Sequence, residues 1–395
     1  MSGERLRLLF LNLGHTYDHL FMLLYATAVI TMEAHFDLTY GELLALATPG
    51  FIAFGAGALP AGWLGDRWSR TGMITLFFIG IGGASILTGF ARTPLEIATG
   101  LFLIGVFASI YHPVGIAMVA EGAPAKLGWR IGVNGVFGNM GVAGAALVAA
   151  FLAETISWRA AFIVPGLVAI ATGLGFRVLA NRMHAAGAPR KPARKGVGMI
   201  PGWQRALAVI AVTTLFGGII FNATTVSLPK VFDERLGGIA LTTIGVGAMA
   251  SIVYAIAGFI QIVVGKLVDR YPVRPIFIGI TGAQVLTLIV AAYATDWAMF
   301  LIALCIMLLV FGQIPIADTL VARFTPDEYR SRVYSVKYLL TLGVSSMAVP
   351  AIAILHGVGD GFATLFFALA ACALLVWLAT LALPGRRAVV AAPAE

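Results

Sequence analysis

The sequence predicts an all-α membrane protein with twelve transmembrane helices, and three observations support this prediction. Of its 395 residues, 60% are hydrophobic and only 11% are charged, whereas a soluble chain carries about 25% charged residues. Apolar segments of roughly 20 residues, long enough to cross about 30 Å of hydrocarbon, recur along the whole chain. One long polar break divides these segments into two groups of six.

Twelve apolar segments are the predicted membrane spans. They cover residues 6–32, 43–65, 72–91, 95–121, 129–153, 158–180, 204–229, 242–267, 274–293, 297–322, 332–356 and 361–383. The first segment is longer than the roughly 7–15 apolar residues of a secretory signal and contains His15, Asp18 and His19, so we expect an uncleaved helix.

The polar break is the predicted boundary between two six-helix halves. It spans residues 181–203 and separates an N-terminal half, residues 1–180, from a C-terminal half, residues 204–395. The break holds five basic residues and no acidic one. We interpret it as a flexible cytoplasmic linker, which either acts as a plain tether or also contacts anionic lipid head groups.

The basic residues predict how the chain is oriented in the membrane. If the N-terminus is cytoplasmic, all of the 26 Lys and Arg residues except Arg92, Arg159, Lys230 and Arg235 lie on or near the cytoplasmic side. This positive-inside bias places both termini in the cytoplasm and the protein in the plasma membrane, the inner membrane of a bacterium. The basic charge therefore indicates orientation, and no nucleic-acid partner is expected.

The two halves resemble each other at a fixed spacing. Thr39 precedes Asp66 by 27 residues in the first half, and Thr242 precedes Asp269 by 27 residues in the second. Three further residues recur at an offset of 202, pairing Pro124 with Pro326, Arg130 with Arg332 and Gly141 with Gly343. Parallel six-helix repeats of this kind enclose a binding cavity near the middle of the bilayer.

These residues resemble a signature of the major facilitator superfamily. The stretch Gly62-Trp-Leu-Gly-Asp66-Arg67, followed by Arg70, is similar to the superfamily's loop between spans two and three, and it recurs at Gly265–Arg270. Ser69 departs from the pattern because the superfamily usually has glycine there. The resemblance implies the major facilitator fold and a gating role, through charge-assisted bonds to helix ends. The implied gating residues are Asp66, Arg67, Arg70, Arg130, Asp269 and Arg270.

A narrower resemblance covers mainly the first half and points to the fosmidomycin-resistance branch of that superfamily. It is carried by His15-x-x-Asp18-His19, Phe36-Asp-Leu-Thr39, Tyr111-His112-Pro113 and Gly135-Val-Phe-Gly138-Asn139. The resemblance implies drug efflux in exchange for protons. The acid of that branch corresponds to the position of His19, whereas this chain has its acid at Asp18, so the coupling chemistry is not transferred residue by residue.

Ionisable residues inside the spans predict a proton site. His15, Asp18 and His19 lie at i, i+3 and i+4, and therefore on one stripe of the first helix. His15 and His112 each lie about 14 Å from the cytoplasmic ends of their helices, so they can meet. Imidazole titrates near pH 6.5, about where a coupling group has to exchange protons. Two alternatives stay open, namely a structural Asp–His hydrogen-bond cluster and a bound transition metal.

Polar residues on the cavity-lining helices are candidates for solute contact. They are Tyr111, Asn134, Asn139, Asn222, Tyr254, Gln261, Gln313 and Asp318. Interhelical hydrogen bonding is the alternative for each of them. Lys337 either extends to the cytoplasmic surface or offers a positive charge to an anionic solute. Pro113 predicts a break in the fourth span beside His112, because proline lacks a backbone N–H.

Together these observations predict a secondary transporter and not an enzyme. We expect proton-coupled efflux of a drug or small organic anion, with a proton-linked uptake symporter or a transition-metal transporter as alternatives. The chain has no GxxxxGK[ST] phosphate loop, which disfavours an ATP-driven pump. The expected partners are a small-molecule substrate, protons and membrane lipid. We expect a monomer without a cofactor or resident metal.

Overall fold

A computed structural model describes residues 3–120, 127–183, 202–239, 242–324, 327–358 and 361–383. The helices before the predicted linker are α1 Gly3–Ala28, α2 Glu33–Phe36, α3 Tyr40–Ala45, α4 Thr48–Arg67, α5 Arg70–Gly89, α6 Pro94–Ala108, α7 Ile116–Ala120, α8 Leu127–Thr155 and α9 Ala160–Met183. Those after it are α10 Trp203–Arg235, α11 Thr243–Gly258, α12 Ile260–Arg270, α13 Val273–Ala291, α14 Asp296–Phe324, α15 Asp327–His356 and α16 Phe362–Leu381. Most of the predicted linker, together with Pro124 and Pro326, lies outside the described residues.

The helices confirm the predicted all-α membrane fold. Among the described residues, ten helical segments are long and apolar enough to cross a membrane. The two remaining predicted spans coincide with α1 and α15, which have 26 and 30 residues and carry more polar side chains. At 1.5 Å per residue even α1 reaches about 39 Å, more than the hydrocarbon thickness. The protein is therefore a multi-pass integral membrane protein.

Side-chain caps explain where several spans begin. Thr39 accepts a hydrogen bond from the backbone of Glu42, and the Glu42 carboxylate accepts one from the Thr39 N–H, which completes a capping box at the start of α3. Thr242, its counterpart in the predicted repeat, caps α11 in the same way through the Gly245 N–H. Ser69 caps α5 through the Gly72 N–H at 3.0 Å. A serine at this position can therefore start the third span.

The fourth predicted span contains a break. α6 ends at Ala108, and Tyr111–Gly115 form one turn of π-helix before α7 begins. Because Pro113 cannot donate a backbone hydrogen bond, the regular ladder is interrupted there. Pro315 lies 202 residues further on, yet α14 remains α-helical through it. The wider turn therefore distinguishes the fourth span from the tenth.

Close helix packing in the first part of the chain depends on glycine. Gly82 of α5 faces Gly166 of α9, and a Cβ built on Gly82 would lie 2.5 Å from the Gly166 carbonyl oxygen. The reciprocal Cβ on Gly166 would lie 2.7 Å from the Gly82 carbonyl oxygen. Small residues let backbones approach in this way inside membranes, where van der Waals packing drives helix association.

Polar contacts join the helices before and after the predicted linker at one end of the molecule. Glu33, just after α1, accepts a hydrogen bond from Lys230 of α10 at 2.8 Å. Glu154, near the end of α8, accepts one from the backbone N–H of Ile244 in α11 at 2.6 Å. We call this the closed end, and it is the outer end in the predicted orientation.

At the opposite end, two glycines have no close neighbour on the side where a Cβ would lie. Gly132 near the start of α8 and Gly265 near the end of α12 lie there, and a Cβ on either would meet no atom within 4 Å. We call this the open end. The chain directions place the start of α15 and the end of α14 at the open end, because His356 at the end of α15 contacts Glu234 at the closed end.

The first prediction concerns the contact between α5 and α9. Gly82→Val places methyl groups against the Gly166 carbonyl, so we expect the free energy of unfolding to fall by about 1–3 kcal/mol. Thermal unfolding of the purified protein in detergent measures the effect. Gly83→Val is the matched control, because a Cβ on Gly83 meets nothing within 4 Å. Equal unfolding midpoints for the two variants would contradict the close packing.

Candidate functional site

Four ionisable side chains from the first and fourth spans converge inside the protein. The Asp18 carboxylate lies 3.1 Å from Nε2 of His112, and Nε2 of His15 lies 3.2 Å from Nε2 of His19. The His15 and His112 rings meet edge to face with their centroids 5.3 Å apart. Asp18 is fully buried and His15 is 8% exposed. The predicted meeting of the histidines with Asp18 is thus present in the structure.

The local helix geometry explains this convergence. The i, i+3, i+4 spacing on α1 places His15, Asp18 and His19 on one stripe, as expected. The π-helical turn presents His112 to that stripe, because its wider backbone ring changes the direction of the side chains around Pro113. Gly138 of α8 leaves room for the cluster, since a Cβ there would lie 2.7 Å from the His15 ring.

A backbone hydrogen bond sets the proton position on His15. Its Nδ1 lies 2.7 Å from the carbonyl oxygen of Asn134. A carbonyl oxygen can only accept, so Nδ1 carries a hydrogen and Nε2 of neutral His15 has a lone pair. That lone pair faces His19 Nε2, which donates to it when both rings are neutral. One N–H···N hydrogen bond therefore joins the two imidazoles, with His19 as the donor.

Asp18 is the least satisfied polar group of the cluster. Its Oδ1 has no hydrogen-bond partner among the residues that the structure describes, and Oδ2 lies near His112. An isolated ionised carboxylate is costly to bury, so it has to be paired with a positive charge or carry a proton. A proton on Asp18, or on His112 beside it, satisfies this requirement. The cluster can therefore hold an exchangeable proton.

Tyr111 and Asn134, two predicted solute contacts, pack against the cluster. The Tyr111 ring stacks on the His15 ring, and the Asn134 carbonyl bonds to His15. The Tyr111 hydroxyl donates to the Leu11 carbonyl at 2.7 Å and accepts from Asn134 Nδ2 at 2.8 Å. Asn134 Nδ2 also lies 3.0 Å from Oδ1 of Asn12. Tyr111 is 0% exposed and Asn134 is 3% exposed. The structure places both in the packing between α1, the π-helical turn and α8, where interhelical hydrogen bonding accounts for them.

Three further predicted solute contacts lie where a helix before the predicted linker packs against helices after it. Asn139 is in α8, Tyr254 is in α11 and Gln261 is in α12. Asn139 Nδ2 approaches the Gly258 carbonyl at 3.5 Å, which joins α8 to the end of α11. The buried Tyr254 hydroxyl donates to the Thr225 carbonyl of α10 at 2.8 Å. A Cβ on Gly135 would lie 3.7 Å from the Gln261 side-chain oxygen. These three residues therefore lie along the contact between α8, α10 and the α11–α12 span.

The remaining predicted solute contacts lie in the second part of the chain. Asn222 donates to the Gly218 carbonyl of its own helix at 2.9 Å, and Gln313 donates to Gln284 at 2.6 Å. Asp318 forms an ion pair with Lys337 of α15. Neither these contacts nor those of Asn139, Tyr254 and Gln261 involve the Asp18–histidine cluster.

The predicted gating residues are at or near helix ends. Arg130, near the start of α8, forms an ion pair with Glu4 at the start of α1. The Arg67 guanidinium lies 5.1 Å from the centre of the Trp63 ring. Arg70 is the first residue of α5, and Arg270 is the exposed last residue of α12. The side chains of Asp66 and Asp269 lie outside the described part of the structure.

The histidine cluster also has the spacing of a metal site. The ligand atoms of His15, His19 and His112 all lie within 4.8 Å of one another. Three imidazoles are a common ligand set for Zn²⁺. Each of these three imidazoles is thus a candidate for binding either a proton or a metal ion.

The sequence interpretation missed two features of these sites. Asn12 lies three residues before His15, so its place on the cluster's stripe was readable from the helical spacing. The Glu33–Lys230 contact joins residues 197 positions apart. No local pattern signals such a pair, because only the packing of α1 beside α10 creates it.

The helices define a multi-pass membrane protein that holds a buried ionisable cluster. The comparison with family models agrees, since residues 12–259 and 238–395 match the Major Facilitator Superfamily. The chain belongs to this superfamily, whose members are secondary transporters.

Two curated relatives illustrate the range of solutes among similar proteins. Over 130 residues the chain is 32% identical to the puromycin resistance protein pur8 of Streptomyces alboniger, a match that covers 32% of this chain and 26% of the relative. Over 160 residues it is 29% identical to the niacin transporter NiaP of Acinetobacter baylyi, covering 40% and 36%. The matches thus span about a quarter to a third of these relatives' lengths.

Solved structures share the fold at low sequence identity. An inward-facing, unoccupied bacterial homolog of the human lysosomal transporter Spinster superimposes with a TM-score of 0.78 at 13% identity, covering 97% of this chain and 98% of that one. A D-xylose-proton symporter gives a TM-score of 0.71 at 16% identity, covering 95% of each chain. These likenesses concern the fold alone.

The second prediction tests the supporting role of Tyr111. Tyr111→Phe removes the hydroxyl that serves both Leu11 and Asn134, so we expect the free energy of unfolding to fall by about 1–3 kcal/mol. Tyr293→Phe is the control, because the Tyr293 side chain is 77% exposed. Thermal unfolding in detergent measures both variants. An unchanged midpoint for Tyr111→Phe would show that its hydroxyl is not needed for packing.

Proposed function

We propose that this protein is a proton-coupled exporter of a small drug or organic anion, in which Asp18 and the histidines bind the coupling proton. The observation that carries the proposal is the fully buried Asp18 carboxylate, 3.1 Å from His112 Nε2. An ionisable residue held inside a membrane span is costly and usually functional. Here His112 contacts the carboxylate, and the rings of His15 and His19 pack against His112.

The coupling follows from the cost of burying charge. A protonated cluster can cross between inward-facing and outward-facing states without carrying an unpaired carboxylate into a dry environment. A deprotonated Asp18 needs a positive partner, which His112 supplies when it is charged. The protein thus takes up a proton on one side and releases it on the other, and solute moves in the opposite direction during the return step.

The contacts at the two ends support alternating access. In the structure the closed end is joined by the Glu33–Lys230 and Glu154–Ile244 contacts, while a Cβ on Gly132 or Gly265 at the open end would meet no atom within 4 Å. We infer that the contacts at the closed end break when the cavity turns outward. New contacts then form at the open end, where Arg67, Arg70, Arg130 and Arg270, with Asp66 and Asp269, are the proposed gating residues.

Two resemblances favour efflux. The motifs around His15, Tyr111 and Gly135 resemble the fosmidomycin-resistance branch, and one curated relative is a puromycin resistance protein. A proton-linked uptake symporter is the alternative, since the niacin transporter is also similar and the same cluster would serve both directions. We propose that Asn139, Asn222, Gln261 and Gln313 line the solute pathway, and that a single chain is sufficient.

The third prediction concerns Asp18. Asp18→Asn keeps the shape of the side chain but cannot carry the carboxylate charge, so we expect gradient-driven transport to fall to background. Inverted membrane vesicles with an imposed pH gradient and a pH-sensitive dye report proton movement when a solute panel of phosphonate antibiotics and organic anions is added. Asp37→Asn is the control, because Asp37 is exposed.

Each outcome of this experiment is informative. Solute-dependent collapse of the gradient in the wild-type protein and in Asp37→Asn, but not in Asp18→Asn, supports the proposal and identifies the substrate class. Undiminished coupling in Asp18→Asn would remove Asp18 from the mechanism. Movement of the solute in the same direction as the protons, rather than in the opposite direction, would favour the symporter.

The fourth prediction separates proton coupling from the second candidate function, transition-metal transport, which the spacing of the three imidazoles favours. If the protein binds protons there, purified protein exposed to Zn²⁺ and then desalted should retain far less than one ion per chain. One zinc per chain, lost in both His15→Ala and His112→Ala, would instead favour metal transport. Elemental analysis of the desalted samples measures the ratio.

A further inference from the structure

The ion pair between Lys337 and Asp318 is the second place where the chain carries charge into the membrane-spanning region. Lys337 lies ten residues after the start of α15, and Asp318 lies six residues before the end of α14. These positions are about 15 Å and 9 Å from the open end. The pair therefore lies inside the helical bundle and nearer the open end than the closed end.

The helical register shows that Asp318 faces the protein and not the lipid. Met307 and Phe311 share its side of α14, at i−11 and i−7, and they are 1% and 0% exposed. Leu301, which is 57% exposed, and the exposed Cys305 mark the lipid side, about 100–140° away around the helix. The Asp318 side chain is nevertheless 36% exposed. Asp318 is therefore partly exposed on the side of α14 that faces the protein.

Lys337 lies on the corresponding side of α15. Ala348 and Ile352 follow it at i+11 and i+15 on the same side of the helix, and both are 0% exposed. Met347 and Ile354, which are 62% and 64% exposed, face away by about 80–100°. The Lys337 side chain is only 10% exposed. A molecule entering from the open end thus meets the Asp318 carboxylate first, with the Lys337 ammonium behind it.

We propose that Lys337 is the anchor for an anionic solute, and that the solute's carboxylate or phosphonate replaces Asp318 as its partner. This inference rests on the proposed transport function and names its substrate class. An ammonium group in a low-dielectric site needs a negative partner at all times. Asp318 supplies that charge while the site is empty. Because Asp318 is half-exposed, it can turn to water when a solute anion takes its place.

If a solute anion replaces Asp318 beside Lys337, the two residues affect the protein's affinity for that anion in opposite directions. Removing Lys337 removes the attraction for the anion. Removing the charge of Asp318 removes the competing carboxylate, so the solute anion should bind more tightly. A purely structural ion pair predicts a different result, because either substitution would then lower stability without any preference for anions.

Thermal unfolding of the purified protein in detergent tests this, with benzoate and phenylphosphonate as anionic probes and benzamide as the neutral one. A ligand that binds the folded state raises the unfolding midpoint. We expect both anions, but not benzamide, to raise it for the wild-type protein. For Asp318→Asn the apparent affinity for the anions should be about tenfold higher, as expected for a charge-assisted hydrogen bond. For Lys337→Gln the anion effect should be lost.

Two further variants act as controls. Lys337→Arg retains the positive charge and should retain the anion effect. Lys266→Gln removes a lysine charge at an exposed position of α12 and should behave as the wild-type protein does. If Lys337→Gln does not fold, the proposal is tested by comparing the apparent anion affinity of Asp318→Asn with that of the wild-type protein.

Two results would overturn the proposal. One is an anion effect in Lys337→Gln equal to that of the wild-type protein, and the other is no preference for anions over benzamide in Asp318→Asn. Because these measurements need no pH gradient, they are independent of proton coupling. Loss of coupling with intact anion binding would contradict the proposed proton mechanism and leave the anion site standing.

Discussion

Every ionised group that this chain places inside the membrane has to be matched by another group, because hydrocarbon offers no water to solvate it. The structure meets this constraint at two separate places. In the first part of the chain, Asp18 is matched by the imidazole of His112. In the second part, Asp318 is matched by the ammonium group of Lys337. The difference between the partners suggests different tasks, proton binding at the first and anion binding at the second.

The first of these places depends on an irregular piece of helix. His112 lies in the π-helical turn at Tyr111–Gly115, and from this turn it contacts Asp18. The turn is itself held by the Tyr111 hydroxyl, which bonds to the Leu11 carbonyl of α1 and to Asn134 of α8. Pro113 thus interrupts the regular helix, and the hydrogen bonds of Tyr111 hold the resulting turn in place against α1 and α8.

The arrangement of the helix ends connects these sites to transport. Contacts such as Glu33–Lys230 join the helices at the closed end, and both charged sites lie between that end and the open one. Alternating access requires these contacts to be exchangeable, and ion pairs near a membrane surface are, because water can replace each partner. Close glycine contacts such as Gly82 with Gly166 are not exchangeable in this way, so we expect α5 and α9 to move as one unit in the proposed cycle.

The sequence by itself determined the twelve spans, the repeat that relates Thr39 to Thr242 and the break at Pro113. These follow from local hydrophobicity, helical spacing and backbone chemistry. It also indicated that His15 and Asp18 share one stripe of α1. Only the tertiary structure decided which residues meet across helices, including the Asp18–His112 contact and the Lys230–Glu33 pair, because their distances depend on helix packing. Tyr111 shows the limit most clearly, since a polar residue in a span can bond to backbone or face solute, and only its packing tells which.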